Sequence, residues 1–413
     1  MDLIEIRQNL LLLGMALEFT LRDEKGAVLL AKGHRIETLQ QLDGLRSRKK
    51  IFVEIDESEE GIRAMMAGIT TLNKLGAPIK DFSKHLQLNI SDPNSVKLTG
   101  PLSERWGEVE SKLAGLLASV SSTSDFEAKV QQLDTYIQAL LTENSPASQF
   151  LLFNRAVTHF SGYSVMHSLL CASLVHLLSP FFALTEDERK SLVCAALTMN
   201  VAMTRLQDAL ALQKMEPNAA QRSEINSHAA LGRQTLVDAK VTDEQWLEIV
   251  ALHHTPLEGP ETLADWPPVQ RMTKILQTVD RYTAAMSPRK SRSGRSARDS
   301  VLSVVMKPGV VKHDEVGTAL VRILGVSPAG TYVKLVNGET AVVIRRGIKP
   351  GEPLVASVLN RNDEPISEPR LHDTSREKLS IQNTLVASEV RVNLKLEQML
   401  RLIPKQSPQG FAF

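Results

Sequence analysis

Five of the ten histidines in this 413-residue chain fall between Tyr163 and Met286: His167, His176, His228, His253 and His254. The same stretch holds an acid, Asp280, on an apolar-rich segment, and no Gly- or Pro-rich break long enough to end a domain. Neutral imidazoles and carboxylates suit transition metals, and a bridging carboxylate can hold two ions side by side. Such a pair makes hydroxide at neutral pH and clamps a phosphoryl group. Ligands spread over this much sequence must come from several helices that face one interior. Spacing alone does not separate a ligand from a core histidine, and His176, with His159 and His313, is read as structural.

The segments that would position these residues are helical in pattern. LSERWGEVESKLAGLLASV has Ser103 as a cap signal and an apolar face through Trp106, Val109, Leu113 and Leu116. SDFEAKVQQLDTYIQALLTEN repeats the arrangement with Ser124 or Asp125 as cap, PASQFLLFNRAVTHF follows, and then the histidine-bearing segments begin. Before them, MALEFTLRD and AVLLAKG alternate as strands about a turn at Glu24-Lys25-Gly26, IETLQQLDGLRS has helical spacing, and IFVEI alternates again. After them, EVGTALVRILGV is a short helix ended by Gly325, and TYVKLVNGETAVVIRRG is a hairpin about Asn337-Gly338. PLVASVLNRNDEPI offers a second hairpin. Residues 376–403 switch between period 2 (Val390, Val392, Leu394, Leu396) and helical spacing and are left unassigned. The expected organisation is a small α/β module over 1–57, a helix and linker over 58–101, a helical domain over 102–311, a β appendage over 312–370 and a tail over 371–413.

Composition narrows the function classes. The net charge is +1, from 48 basic and 47 acidic residues, so no global field draws the chain to nucleic acid or to a membrane. The stretch 288–299 is basic, through Arg289, Lys290, Arg292, Arg295 and Arg298 with Arg281 upstream. It lacks an aromatic platform or a groove-reading helix, so a solvated loop is favoured over a phosphate contact, and no nucleic acid is expected as a partner. Cys171 and Cys194 both lie in apolar helical patterns, which argues against a disulfide framework and for a reducing, cytoplasmic setting. No signal peptide and no run of membrane-spanning length is expected.

Read in order, YSVMHSLLCASLV brings His167, ERKSLVCAALTMNVAM brings Met199 and Asn200, and EINSHAALGRQTL brings His228 and Gly232. VALHHTPLEGPE then brings His253 and His254, and RMTKILQTVDRYTAAMSPR brings Asp280. This succession resembles the HD-GYP family of HD-domain phosphohydrolases, many of which hydrolyse the bacterial second messenger cyclic di-GMP. The flanks resemble modules that often accompany that domain, and the likeness covers roughly residues 13–55 and 150–370. The resemblance implies a mainly α fold, an HD-domain-like helical bundle with small β-containing modules on its N-terminal and C-terminal sides. It also implies that His167, His228, His253, His254 and Asp280 occupy metal-ligand positions.

The departures from the family pattern set the functional expectation. Met199-Asn200 stands where the family has its His-Asp doublet, and Met203 stands at the position of a lysine. The family's Asp bridges both metals, so Asn200 puts a neutral amide where two dications would share a negative charge. Met199 offers a soft thioether suited to copper(I), and Met203 cannot stabilise charge on a transferring phosphoryl group. Thr-Pro-Leu-Glu-Gly-Pro follows His253-His254 in place of the Gly-Tyr-Pro signature, and Thr283 replaces the second acid of the family's Asp-x-Tyr-Asp-Ala pattern. The expected function is therefore a catalytically degenerate HD-GYP-type domain that acts in bacterial signalling through a protein or nucleotide. By resemblance the partner is a diguanylate cyclase domain or a cyclic dinucleotide, with a homodimer also open. No cofactor is expected, or one iron, manganese or zinc ion if the His228/His253/His254 side still binds. The alternatives are an active phosphodiesterase with a reduced metal site and a structural scaffold with a vestigial pocket.

Overall fold

The structure is a computed structural model that describes residues 100–403, except 160, 292–293, 306–313 and 377–378. Nearer the start it describes residues 3–6, 20–23, 26–30, 50–54 and a few positions between 36 and 48. The chain divides into two compact units, Met1–Val96 and Lys97–Phe413.

In the first unit, β1 (Leu3–Ile6), β2 (Leu21–Arg22), β3 (Val28–Leu30) and β4 (Ile51–Glu54) form an antiparallel sheet in the order β1-β4-β2-β3. The turn between β2 and β3 is the expected one: the Ala27 amide donates to Asp23 Oδ1 at 2.9 Å. A short acidic side chain commonly closes a turn in this way. Leu21, Ile36, Leu45 and Ile51 are buried. The helix expected over 58–75 and the linker over 76–101 lie, save for Gly100 and Pro101, outside the described residues.

The second unit is mainly helical. Its first helices are α1 (Leu102–Ala118), α2 (Phe126–Glu143), α3 (Ser145–Thr158), α4 (Tyr163–Leu178) and α5 (Glu186–Thr198). They are followed by α6 (Thr204–Leu212), α7 (Ala219–Asp238), α8 (Glu244–Leu252), α9 (Pro268–Met286), α10 (Ala297–Val305) and α11 (Glu315–Leu324). Local chemistry accounts for most of the starts. Thr185 and Glu188 form a reciprocal capping box on α5, as do Asn218 and Gln221 on α7, while Asp243 accepts the Trp246 amide on α8. Ser103 does not cap α1, which begins at Leu102; its hydroxyl instead donates to Glu397 Oε1 at 2.6 Å. Asp125 precedes α2 with φ 53° and no side-chain cap bond, so the expected cap is absent there too.

α4 is the axle of the bundle. Every residue in it except Leu177 is buried, and it packs against α1, α2, α3, α5, α6, α9 and α11. A helix apolar all round belongs in a core, where each buried large aliphatic side chain contributes ~1.5–3 kcal/mol. The stretch Tyr163–Phe182 is long and apolar enough to cross a membrane, contrary to expectation, but 72% of it is buried inside the bundle.

β5 (Tyr332–Leu335) and β6 (Thr340–Arg345) form the expected hairpin, with Gly338 at φ 84° supplying the left-handed turn residue. β7 (Leu354–Leu359) and β8 (Pro365–Asp373) form the second hairpin. The sheet extends past residue 370, because β9 (Ile381–Leu385) adds to the free edge of β5, giving the order β8-β7-β6-β5-β9. The tail then forms α12 (Leu396–Leu402), whose Met399 packs with Phe150 of α3 and Tyr332, Val342 and Val358 of the sheet. Its mixed periodicity thus reflects a strand, an extended connection and a helix in succession.

Candidate metal centre

Four elements deliver the candidate ligand set. α4 presents His167, α7 presents His228, the C-terminal end of α8 presents His253 and His254, and α9 presents Asp280. The turn Met199–Met203 joins α5 to α6 and packs on α7. It meets α7 near Gly232, where a Cβ would sit in ordinary contact, 3.6 Å from the Met199 carbonyl oxygen and 3.4 Å from Val250 Cγ1.

The five candidate residues gather into two groups. In the first, His228, His253 and His254 place their ligand nitrogens within 4.8 Å of one another. The rings of His228 and His253 are buried, and their Nε2 atoms stand 3.1 Å apart. The Nδ1 atoms face the backbone carbonyl oxygens of Ile225 and Val250, the latter at 2.7 Å. A carbonyl only accepts, so each Nδ1 carries the hydrogen, and in a neutral ring each Nε2 is then a bare lone pair. Burial, reinforced by the neighbouring His254, pushes both rings below the ordinary histidine range, His253 to about 4. Two neutral imidazoles with lone pairs face to face repel unless a cation lies between them. Two nitrogens bound to one tetrahedral zinc at ~2.0–2.1 Å would stand about 3.3 Å apart, close to this spacing. The donor set fits a divalent transition metal, with the two carbonyls fixing the tautomers as second-shell partners do.

In the second group, His167 Nε2 is 2.8 Å from Asp280 Oδ1. Burial opposes the charge on both, yet the Cys171 and Asp280 side chains hold His167 well above its usual range, and His167 draws Asp280 down to about 2. The pair is an imidazolium and a carboxylate in the absence of other cations. Tyr163 stacks on the His167 ring at 5.8 Å between centroids, and Arg289 lies over Tyr163 at 4.9 Å while donating to its hydroxyl at 3.0 Å. The basic segment thus contributes one side chain to the wall of the site, while Lys290, Arg295 and Arg298 are exposed.

Each residue at which the sequence departs from the resembled pattern occupies the interior or its margin. Met199 and Thr283 are fully buried, Asn200 is 6% exposed, and Met203 is partly buried. Asn200 Oδ1 and Thr283 Oγ1 are buried without a hydrogen-bond partner. Leaving such a group unsatisfied costs about 1–3 kcal/mol, so the interior at these two positions is polar but unsettled.

Cys171 is the ligand-type residue that sequence reading passed over. It lies one helical turn from His167, with Sγ 3.8 Å from His167 Nε2. The i, i+4 spacing was the available signal, hidden because cysteine also suits an apolar helix. His176, read as structural, is so: it pairs with Asp134 at 2.7 Å beside Arg189. His159 closes α3, and His313 lies outside the described residues.

No protein-family model matches the chain, and neither does any curated protein. Among solved structures the chain is similar to Bd1817, described as an HDG"Y"P protein from Bdellovibrio bacteriovorus, at 14% identity and a TM-score of 0.40 over 77% of this chain and 98% of that one.

Proposed function

We propose that the second unit is a hydrolytically disarmed module of the HD-GYP type, which retains a metal-ligand cage and acts in bacterial signalling by binding a cyclic dinucleotide or a protein such as a diguanylate cyclase domain. The observation that supports this reading most is Asn200, a buried amide with an unpaired oxygen at the position where the resembled family bridges two metals with a carboxylate. With that charge gone, the His228/His253/His254 group and the His167/Asp280 group lack the shared acid that would make them one binuclear centre. An ion held by the three histidines would supply Lewis acidity toward a phosphoryl oxygen, which serves binding as well as cleavage. Met203 and Thr283 offer no charge to a transferring phosphoryl group. The reading places the protein in the cytoplasm, and a homodimer is compatible with it.

The lone-pair geometry of His228 and His253 also favours a second reading, a working phosphodiesterase with a single metal. One experiment separates them. Protein purified without chelator or nickel is compared with the double variant Met199→His/Asn200→Asp for metal content and for turnover of cyclic di-GMP. The disarmed reading expects no turnover in the natural protein, and at least one metal more in the double variant than in the natural protein. Turnover by the natural protein that is lost in His253→Ala would overturn it in favour of the single-metal enzyme. Absence of metal and turnover, together with no binding of cyclic di-GMP in a calorimetric titration, leaves a scaffold with a vestigial pocket.

A further inference from the structure

His167 and Cys171 project from the same face of α4, and Asp280 meets them from α9. The three donor atoms lie within 4.8 Å of one another, with Cys171 Sγ 3.8 Å and Asp280 Oδ1 2.8 Å from His167 Nε2. We infer that His167, Cys171 and Asp280 form a separate nitrogen–sulfur–oxygen metal site that takes a thiophilic divalent ion, zinc in preference to magnesium or manganese.

The geometry is close to that of bound metal. A tetrahedral zinc with Zn–S of ~2.3 Å and Zn–N of ~2.0–2.1 Å sets sulfur and nitrogen about 3.6 Å apart, and nitrogen and oxygen about 3.3 Å apart. The sulfur is thus already in place, and the carboxylate, on a side chain that is 15% exposed, must withdraw by about half an ångström. Cys171 and His167 are both at least 98% buried, and His167 Nδ1 has no partner, so the ring's polar contacts are those of this group. Two of the three candidate ligands stand one turn apart on α4, a helix buried along almost its whole length, which sets their separation before any ion arrives. Sulfur decides the selectivity, because thiolate favours zinc and disfavours the hard, oxygen-seeking ions. As a thiolate it also gives the interior the single negative charge that Asn200 lacks relative to a carboxylate. Binding breaks the S–H bond of Cys171 and the Nε2–H bond of His167, forms the two metal bonds, and releases two protons to solvent. No redox partner is required.

The test uses the full chain, stripped with chelator and reloaded with cobalt(II). Thiolate ligation gives an intense sulfur-to-cobalt charge-transfer absorption in the near ultraviolet. The band is expected in the natural protein, retained in Cys194→Ser, and lost in Cys171→Ser with circular dichroism unchanged. A cobalt-loaded natural protein without the band, or a band that survives Cys171→Ser, overturns the inference. Should Cys171→Ser fail to fold, X-ray absorption on the zinc-loaded natural protein decides: a sulfur neighbour at ~2.3 Å supports the site, and a shell of nitrogen and oxygen alone overturns it. Neither readout depends on cyclic di-GMP turnover, so the disarmed reading of the molecule stands or falls independently.

Discussion

At the scale of single residues, tautomer control separates the candidate site from an ordinary buried histidine cluster. His228 and His253 each spend Nδ1–H on a carbonyl one turn back, so their Nε2 atoms are committed to whatever lies between them. In the metal-free protein this has a pH signature. His253 is held at about 4, below the ordinary ~6.5, so between those values the unfolded chain binds a proton that the folded one refuses. Stability is therefore full above about pH 6.5 and falls on acidification, by about 3 kcal/mol at pH 4. Urea unfolding of stripped protein from pH 7 to 4 should show this slope, and His253→Asn should flatten it. A stripped natural protein with no slope across that range would show that the ring is free to charge.

At the scale of elements, the helices that bring the ligands together are held by a buried ion network apart from the site. Asp134 of α2 accepts from both Arg189 Nη atoms of α5, at 2.6 and 2.9 Å, and pairs with His176 of α4. Asp134→Ala removes the buried counter-charge of His176 and leaves Arg189 with the more exposed Glu186 as its remaining partner, and the expected loss is about 3 kcal/mol in urea unfolding. The capping box is a smaller device: Thr185→Ala, which removes one acceptor at the start of α5, should cost about 1 kcal/mol. If both variants lost the same amount, the network would have to be ranked with surface features. The helix ends where sequence expectation failed, Ser103 and the residues before α2, are ones where a distant partner or a left-handed residue decided the boundary. Ser103 is engaged by Glu397, almost three hundred positions away.

At the scale of the whole second unit, the C-terminal sheet is joined to the bundle through α3. Asn154 donates to the Gly330 carbonyl at 3.1 Å, and Gly330 has φ 85°. A Cβ at Gly330 would fall 2.5 Å from the Phe150 carbonyl oxygen. Gly330→Ala should therefore cost more than about 1 kcal/mol, read as a lower urea midpoint with the far-ultraviolet spectrum preserved. An unchanged midpoint would mean that the sheet is not seated there.

The sequence by itself determined the class of the molecule and most of its elements, because periodicity, capping residues and Asn-Gly turns act over a few positions. It also pointed, through their order along the chain, to five of the six side chains that the structure gathers into two groups able to hold a metal. It did not yield β9 or α12, since a strand that completes a sheet edge is defined by the edge it meets. Nor did it yield Cys171, whose chemistry is invisible until α9 brings Asp280 against α4. Division of the ligands into two groups, and the facing lone pairs of His228 and His253, were likewise decided only by tertiary structure. Ångström-scale distances between side chains on different helices depend on how those helices pack, and a one-dimensional pattern does not record that.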